Sequence, residues 1–424
     1  MKDPQENQFI VVSDLRLGHF VYVDLGWLSH PFPLNAFRIS HQDQISTLRS
    51  LGLTRVRYSP SKSASFESSS DAPAQLDEST DHSASDNDTR SAILAKQRAR
   101  LKACEKQFGD ATRSFRLAAE SASTSPALAA KESLAAVDSM VAHLLCEGET
   151  SIRLLSDQVG ERAALHSVNV SILSLLLGKA LGFTESDLRE LGLGALLHDI
   201  GKSELPSRLR LHDARFNPSE RQLYFEHVAY GLNIGKQMGL STGALLVIAQ
   251  HHELADGSGL PQRLKGVSMT PQGRVVSLVN RYDNLVNGAP GSAMTPHEAL
   301  SHLFAQQKNK FDPAILGTFI RMMGIYPPGS FVQLTDQRYG LVVSVNTNRP
   351  LKPHVILHEP NVRCEEAMIV DLELESELGI RRSLKPEQLP KDVLSALGLR
   401  DRVCYFFENR LKDQPAAMGA VCSV

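Results

Sequence analysis

The chain has 424 residues, enough for two or three domains, and its hydrophobic content of 42% supports a sizeable core. The net charge of −2 gives no signal for a nucleic-acid polymer or an anionic membrane surface. The five scattered cysteines form no C-x-x-C pair, which suggests neither a disulfide framework nor a zinc ribbon and favours a reducing cytoplasm. We find no signal peptide and no apolar run that approaches the roughly 20 residues of a membrane span.

The first 58 residues are predicted to form a small α/β domain. Strand patterns lie at residues 9–12, 19–23 and 55–58, and a helix pattern lies at residues 42–51.

Composition changes sharply over residues 59–89, which carry seven acidic side chains against a single lysine. Such a segment buries too little apolar area to offset its ordering entropy, so we predict a disordered Ser/Asp-rich linker. An acidic interaction tail is the alternative. Residues 90–148 are predicted to form two connecting helices, which pair with each other or with a second subunit.

Residues 149–327 are predicted to form a helical domain. Asn217, Pro218 and Glu220 make a helix start with a capping box, and Thr295 begins a second one. From about residue 328, apolar side chains recur at every second residue. This alternation predicts a hairpin and a third strand. Residues 328–424 are therefore predicted to be a small β appendage with a C-terminal tail.

The pair His198 and Asp199 ends an apolar helix pattern and is followed by Gly201 and Lys202. An imidazole nitrogen beside a carboxylate oxygen can bind one metal or bridge two. For the pair alone, a core histidine beside a capping aspartate is an equal alternative.

Four more histidines of the same domain lie beside apolar helix faces: His166, His227, His251 and His252. Separately buried, each would need its own polar partners, whereas one metal cluster with Asp199 satisfies all of them. The ligands are nitrogen and oxygen without thiolate, which suits a dinuclear iron or manganese site better than a structural zinc site.

The order of these residues resembles the HD-GYP branch of the HD phosphohydrolases, over roughly residues 149–350. The motifs that carry the resemblance are His166, the pair His198 and Asp199 with Lys202, then His227, then His251, His252 and Glu253, and finally Asp256, Gly257, Ser258, Gly259 and Pro261. Residues 9–58 also resemble the small domain of unknown function that often precedes HD-GYP domains.

The resemblance implies a mainly α protein, in which an HD-type all-helical domain lies between a small α/β N-terminal domain and a small β C-terminal appendage. It also implies a cytoplasmic bacterial phosphodiesterase that linearises cyclic di-GMP to pGpG and often continues to GMP. Diguanylate cyclase domains are candidate partners, and a homodimer is a candidate assembly.

Residue roles follow from the same resemblance. Two divalent ions, iron or manganese, are expected on His166, His198, Asp199, His227, His251, His252 and Asn280, with Asp199 bridging. Lys202 falls on the catalytic lysine and acts with Asp199, while Gly257, Ser258 and Gly259 fall on the substrate-binding motif.

Asn280 stands where the family has its last aspartate ligand, and an amide oxygen is a weaker donor to a hard cation. Three outcomes are open: Asn280 binds weakly, Asp283 reaches in from the next turn, or one metal position is incomplete. We prefer the first, because the second moves a carboxylate about 5 Å along the helix axis.

Other positions also depart from the family pattern. Arg162 replaces the glutamate of three-metal members, so we expect at most two metals. Leu254 and Leu260 replace an arginine and a tyrosine, and residues 287–292 lack the basic residues that usually hold substrate phosphate. Two alternatives therefore stay open: a catalytically degenerate sensor or docking scaffold, and a hydrolase of another phosphoester.

Overall fold

The computed structural model describes residues 8–23, 36–39, 42–51, 53–60, 63, 83–146, 149–156, 160–211, 215–288, 292–347, 349–350, 352–360, 362, 367–375 and 378–410. The chain divides into two compact units. The first is Met1–Ile93 with Glu373–Gly379, and the second is Leu94–Leu372 with Ile380–Val424.

The first unit contains a four-stranded antiparallel sheet and one helix. Its elements are β1 (Gln8–Val11), β2 (Phe20–Tyr22), β3 (Ala36–Arg38), α1 (Gln42–Ser50) and β4 (Arg55–Ser59). The strand order is β1-β4-β2-β3, and apolar side chains of the sheet and of α1 form one core. The predicted α/β character is confirmed, although β3 was not predicted.

Two long helices follow, α2 (Ser83–Ser121) and α3 (Pro126–Leu145). The linker was predicted to reach residue 89, whereas α2 begins at Ser83. Composition does not distinguish coil from the first turns of a polar helix, because both lack an apolar face. Most of the predicted linker, residues 59–89, lies outside the described residues.

The second unit places its helices around a buried centre. They are α4 (Arg162–Ala180), α5 (Glu185–Leu197), α6 (Pro218–Gln237), α7 (Thr242–Gln250), α8 (Pro271–Val286), α9 (Pro296–Gln306) and α10 (Pro313–Met323). Capping boxes begin α5, α6 and α9, with the side chains of Thr184, Asn217 and Thr295 accepting from the backbone. The two predicted from sequence, at Asn217 and Thr295, are confirmed.

Helix α4 is the central helix of this unit. In the described part of the chain it alone is long and apolar enough to match a membrane span, and 78% of its apolar window is buried inside the protein. An apolar helix enclosed on nearly all sides is typical of a protein core.

A seven-stranded antiparallel sheet completes the unit. Its strands are β5 (Glu149–Leu154), β6 (Phe331–Leu334), β7 (Tyr339–Asn346), β8 (His354–Leu357), β9 (Ile369–Asp371), β10 (Ile380–Leu384) and β11 (Tyr405–Arg410), with α11 (Lys391–Leu397) before β11. The order is β10-β6-β7-β5-β11, with β8 pairing to β7 and β9 to β8.

The sheet differs from the predicted arrangement in one respect. β5 was predicted to belong to the helical domain 149–327, yet it pairs with β7 and β11 inside the sheet. Strands β6 to β11 of the predicted β appendage 328–424 therefore belong to the same compact unit as the helices. The hydroxyl groups of Tyr282 in α8 and Tyr405 in β11 lie 3.0 Å apart and fix the sheet beside α8.

Candidate metal centre

The ends of two helices bring the central histidines together. His198 is the C-cap residue of α5 and His251 that of α7, while His227 lies inside α6. A Cβ on Gly201 would lie 2.0 Å from the His227 carbonyl oxygen and 2.3 Å from the Gly231 nitrogen. Only glycine permits this close approach, which keeps the segment after Asp199 against α6.

Backbone carbonyls set the tautomers of three histidines. The Nδ1 atoms of His198, His227 and His251 each lie against the carbonyl oxygen three residues earlier, at 2.6, 2.5 and 2.7 Å respectively. In the neutral ring, Nδ1 is then the donor and Nε2 carries the lone pair. All three rings are almost completely buried.

These lone pairs converge. The Nε2 atoms of His227 and His251 are 3.2 Å apart, and those of His166 and His198 are also 3.2 Å apart. Facing lone pairs repel each other unless a cation lies beside them, so the arrangement suits a bound metal.

The Asp199 carboxylate lies between the two histidine pairs. Its Oδ1 is 3.5 and 3.6 Å from Nε2 of His227 and His251, and its Oδ2 is 3.4 and 3.6 Å from Nε2 of His198 and His166. Two groups of potential ligands therefore share this residue. We call them the His227 set (Asp199, His227, His251, His252) and the His166 set (His166, His198, Asp199).

Within this site, two buried atoms have no hydrogen-bond partner among the described residues: Asp199 Oδ1 and His252 Nε2. Such atoms are costly to bury unless a ligand satisfies them. With the converging imidazoles, they make a donor set that fits a divalent metal cation.

Charge interactions keep Asp199 and Lys202 ionised. Burial alone would raise the pKa of Asp199, but the charge of the adjacent Lys202, together with the neighbouring imidazoles, outweighs it and holds that pKa well below its usual range. Burial opposes the charge of Lys202, but Asp199, whose Oδ2 is 2.5 Å from Lys202 Nζ, raises the lysine pKa above its ordinary value.

The histidines of the His227 set are neutral at pH 7. Burial lowers the pKa of His227 to about 4 and lowers those of His251 and His252 well below their ordinary value. Neutral imidazole is the form that binds a metal.

Asp283 orients His166. Its Oδ2 is 2.6 Å from His166 Nδ1, while its Oδ1 accepts from Asn169 Nδ2 at 2.5 Å and from Asn287 Nδ2 at 2.9 Å. A carboxylate behind the ring fixes the tautomer and makes the histidine a better ligand. Sequence periodicity placed Asp283 near the site but did not predict this role.

Asn280 is buried beside the site, but its amide oxygen already has a partner. Oδ1 accepts from Asn284 Nδ2 at 2.7 Å, and Asn280 Nδ2 is 3.4 Å from the His251 carbonyl oxygen. Its assignment as a metal ligand stays a prediction.

The substrate-binding motif forms a tight turn. Gly257 has φ +80°, and both the amide and the hydroxyl of Ser258 donate to Asp256 Oδ1, at 2.9 and 2.6 Å. A Cβ on Gly259 would lie 2.2 Å from the Leu254 nitrogen. These glycines have conformational reasons to be present, and their substrate role stays a prediction.

Two neighbouring side chains support the site without having been assigned a role from sequence. Glu253 is fully buried, and its carboxylate accepts from the amides of Gln262 and Leu264 at 2.6 and 2.8 Å, which anchors the loop after the histidine pair. The Tyr224 ring lies under Lys202 Nζ, 5.3 Å from its centroid. The sequence signals were a carboxylate directly after two histidines and an aromatic residue one turn before His227.

Comparison with known proteins agrees with this geometry. Residues 149–315 match the family model of the HD domain, and residues 7–133 match that of a domain of unknown function, DUF3391. The chain is 26% identical over 351 residues to the cyclic di-GMP phosphodiesterase PA4108 of Pseudomonas aeruginosa, which covers 82% of this chain and 84% of that protein.

The chain is also 31% identical over 149 residues to the cyclic di-GMP phosphodiesterase response regulator RpfG of Xanthomonas campestris pv. campestris, which covers 34% of this chain and 39% of that protein. A solved structure of Bd1817, an HDG"Y"P protein from Bdellovibrio bacteriovorus, covers 73% of this chain and 96% of its own, with 18% identity and a TM-score of 0.41.

The helical unit with its His/Asp cluster thus defines an HD-domain protein with a site for divalent metal. Within that class, the chain combines the HD domain with a DUF3391 domain and is similar along most of its length to a cyclic di-GMP phosphodiesterase.

Proposed function

We propose that this protein is a metal-dependent phosphodiesterase that hydrolyses cyclic di-GMP to pGpG, and onward to GMP, in bacterial second-messenger signalling. The observation that carries the proposal is the convergence of histidine Nε2 atoms on the two oxygens of Asp199, with Lys202 Nζ 2.5 Å from the same carboxylate. The names of PA4108 and RpfG support the choice of substrate.

The proposed cofactor is a pair of divalent transition metal ions, iron or manganese. His251, His227 and His252 would hold one ion, His166 and His198 the other, and Asp199 would bridge them. The absence of thiolate from both sets favours these metals over a structural zinc. When bound, such ions supply Lewis-acid activation of the attacking water and neutralise charge on the phosphoryl oxygens.

The residues of the chain position the reacting groups and supply one positive charge, that of Lys202. Asp199 presents one oxygen to each histidine pair, so it would help to hold an ion in either set. Lys202 carries a raised pKa and so stays protonated at neutral pH. It therefore acts as a cation or an acid rather than a base, and stabilises charge on the phosphoryl group or on the leaving oxygen.

The setting that we propose is cytoplasmic, with cyclic di-GMP as the small-molecule partner. Diguanylate cyclase domains are the proposed protein partners, and a homodimer is the proposed assembly. Purified protein is sufficient to test the catalytic part of this proposal.

The test is to load purified protein with manganese or iron, incubate it with cyclic di-GMP and separate the products over time. We expect pGpG to form first. Lys202→Ala should lower turnover by about 10²- to 10⁴-fold at unchanged metal content. The exposed Lys236 on α6 provides the matched control, Lys236→Ala. Fully loaded protein that releases no product would refute the proposal.

A sensor or docking scaffold is the second candidate, and two observations favour it. The Asn280 oxygen already accepts from Asn284, and residues 287–292 contain no lysine or arginine. This candidate predicts that loaded protein binds cyclic di-GMP without forming product. Hydrolysis of another phosphodiester, but not of cyclic di-GMP, would instead favour a different substrate for the same cluster.

A further inference from the structure

Asn287, at the end of α8, connects two arginines that are far apart in sequence. Arg162 Nη2 donates to the Asn287 carbonyl oxygen at 2.7 Å. The Asn287 side chain pairs with the backbone of Val403: its Oδ1 accepts from Val403 N at 2.9 Å, and its Nδ2 donates to Val403 O at 3.0 Å. This pairing places the backbone of Arg402, the residue before Val403, next to Asn287, whose carbonyl oxygen accepts from Arg162.

Arg162 is linked to the His166 set. Arg162 is one helical turn before His166 on α4, so the two side chains share a helix face. Asn287 also donates to Asp283, the carboxylate that orients His166. A single hydrogen-bonded network therefore joins Arg162, and the Val403 backbone next to Arg402, to the His166 set.

The electrostatics agree with this placement. Burial lowers the pKa of Arg162, the neighbouring positive charge of Arg402 lowers it further, and Asp283 partly compensates. Both arginines are half-buried. Two like charges held close together gain stability when an anion lies between them.

Arg162 also retains hydrogen-bonding capacity. A guanidinium has several N–H donors in a planar fork that matches phosphate. Among the described residues, the bond to Asn287 is the hydrogen bond that Arg162 makes, which leaves further donors for a ligand.

We propose that Arg162 and Arg402 form a phosphate-binding pair for the phosphodiester of the substrate that is not being cleaved. A cyclic dinucleotide carries two phosphodiesters, and only one of them can occupy the metal centre. The pair would supply the positive charge that residues 287–292 lack, from α4 and from the segment before β11 instead. This inference rests on the proposed function, because it assumes a substrate with a second phosphate.

The experiment compares two substrates on metal-loaded protein: cyclic di-GMP, and bis(p-nitrophenyl) phosphate, which has one phosphodiester. Arg162→Gln and Arg402→Gln are each expected to raise KM for cyclic di-GMP by about tenfold or more, the size of one charge-assisted hydrogen bond. The loss in kcat/KM should be about tenfold larger for cyclic di-GMP than for the single phosphodiester. Arg162→Lys should recover part of the loss, because it restores the charge without the fork.

The control is Arg116→Gln, an exposed arginine of α2 whose Nε lies 3.9 Å from Glu120. Metal content and melting temperature are measured for every variant. If Arg162→Gln fails to fold, Arg402→Gln, which keeps the bond between Arg162 and Asn287, provides the test. Equal losses for the two substrates, or an unchanged KM for cyclic di-GMP, would overturn the pair.

Failure of the proposed function is distinguishable from failure of this inference. Wild-type protein that cleaves bis(p-nitrophenyl) phosphate but not cyclic di-GMP would refute the proposed activity alone. Calorimetric binding of cyclic di-GMP to the loaded wild type and variants then tests the pair. A Kd weakened about tenfold supports it, and an unchanged Kd or no binding by the wild type overturns it.

Discussion

The two halves of the metal centre share Asp199 but hold their histidines differently. In the His227 set, the rings of His227 and His251 are fixed by carbonyls of their own helices, and neither side chain is exposed. In the His166 set, the His166 side chain is 14% exposed and depends on the Asp283 carboxylate of another helix.

The two sets therefore differ in how easily a substitution disrupts the orientation of their histidines. A carbonyl three residues earlier is present whenever the helix forms, so the tautomers of His227 and His251, and that of His198 in the other set, follow from secondary structure. The His166 ring is oriented by a side-chain network that a substitution can remove. We therefore expect the His227 set to bind metal more tightly and the His166 set to fill second.

The largest effect is expected when the shared residue is changed. Asp199→Asn removes the carboxylate that both sets share and leaves Lys202 without its ion-pair partner. Metal affinity should fall in both sets by more than the ~10–100-fold typical of an outer hydrogen-bond partner, and hydrolysis should be lost. Elemental analysis after dialysis measures the metal content.

The exposed Asp138 on α3, which pairs with Arg189, provides the control Asp138→Asn. Retention of one tightly bound metal by the Asp199 variant would show that the two sets do not depend on a common bridge.

Acid should destabilise the metal-free protein through the His227 set. The pKa of His227 is lowered by burial from 6.5 to about 4, so below about pH 6.5 the unfolded chain binds a proton that the folded chain does not. The free energy of unfolding should therefore decrease as pH falls from about 6.5 to about 4, with about 3 kcal/mol from His227 alone.

Urea unfolding of chelator-treated protein between pH 7 and pH 5 measures this loss. His227→Gln should show a smaller pH dependence than the wild type. A flat stability profile for the wild type would mean that the ring is accessible to solvent and that the proposed rigidity of this set is wrong.

Sequence predicted the clustered histidines better than it predicted the residues that orient them. His198, His227 and His251 were recognisable because histidines on apolar helix faces need partners. The mainly α fold and the capping boxes at Asn217 and Thr295 followed from local patterns and are confirmed. The pairing of β5 with β11 could not be predicted, since it joins segments more than 200 residues apart whose contact depends on the whole fold.

The role of Asp283 shows the same limit at atomic scale. Helical periodicity places Asn280 and Asp283 on one side of α8, but it does not say which side chain meets a metal and which meets His166. That choice depends on shifts of a few ångströms, which arise from the packing of α8 against α4 and α7.

A smaller and more selective effect is expected from Asp283→Asn, which weakens the orientation of His166. Metal affinity of the His166 set should fall about 10–100-fold, while the His227 set should be little affected. A manganese titration followed by calorimetry should show two phases in the wild type, with only the weaker phase shifted in the variant. Equal shifts in both phases would contradict the independence of the two sets.

The smallest effect, and the one that separates the candidate functions, is expected from Asn280→Asp. In the metal-free protein the introduced carboxylate would lie near the His251 carbonyl oxygen, 3.4 Å from the present Asn280 Nδ2, and should destabilise the fold slightly. A bound cation would reverse this repulsion, because a carboxylate is a stronger ligand for a hard cation than an amide. The rise in melting temperature on adding manganese should therefore be larger in this variant than in the wild type or in the control Asn284→Asp.

Raised metal occupancy with faster hydrolysis of cyclic di-GMP would identify Asn280 as the residue that limits catalysis. Raised occupancy without hydrolysis would instead place the defect in the substrate pocket and favour the sensor. Unchanged occupancy would remove Asn280 from the metal site, leaving its role to the hydrogen bond that it accepts from Asn284.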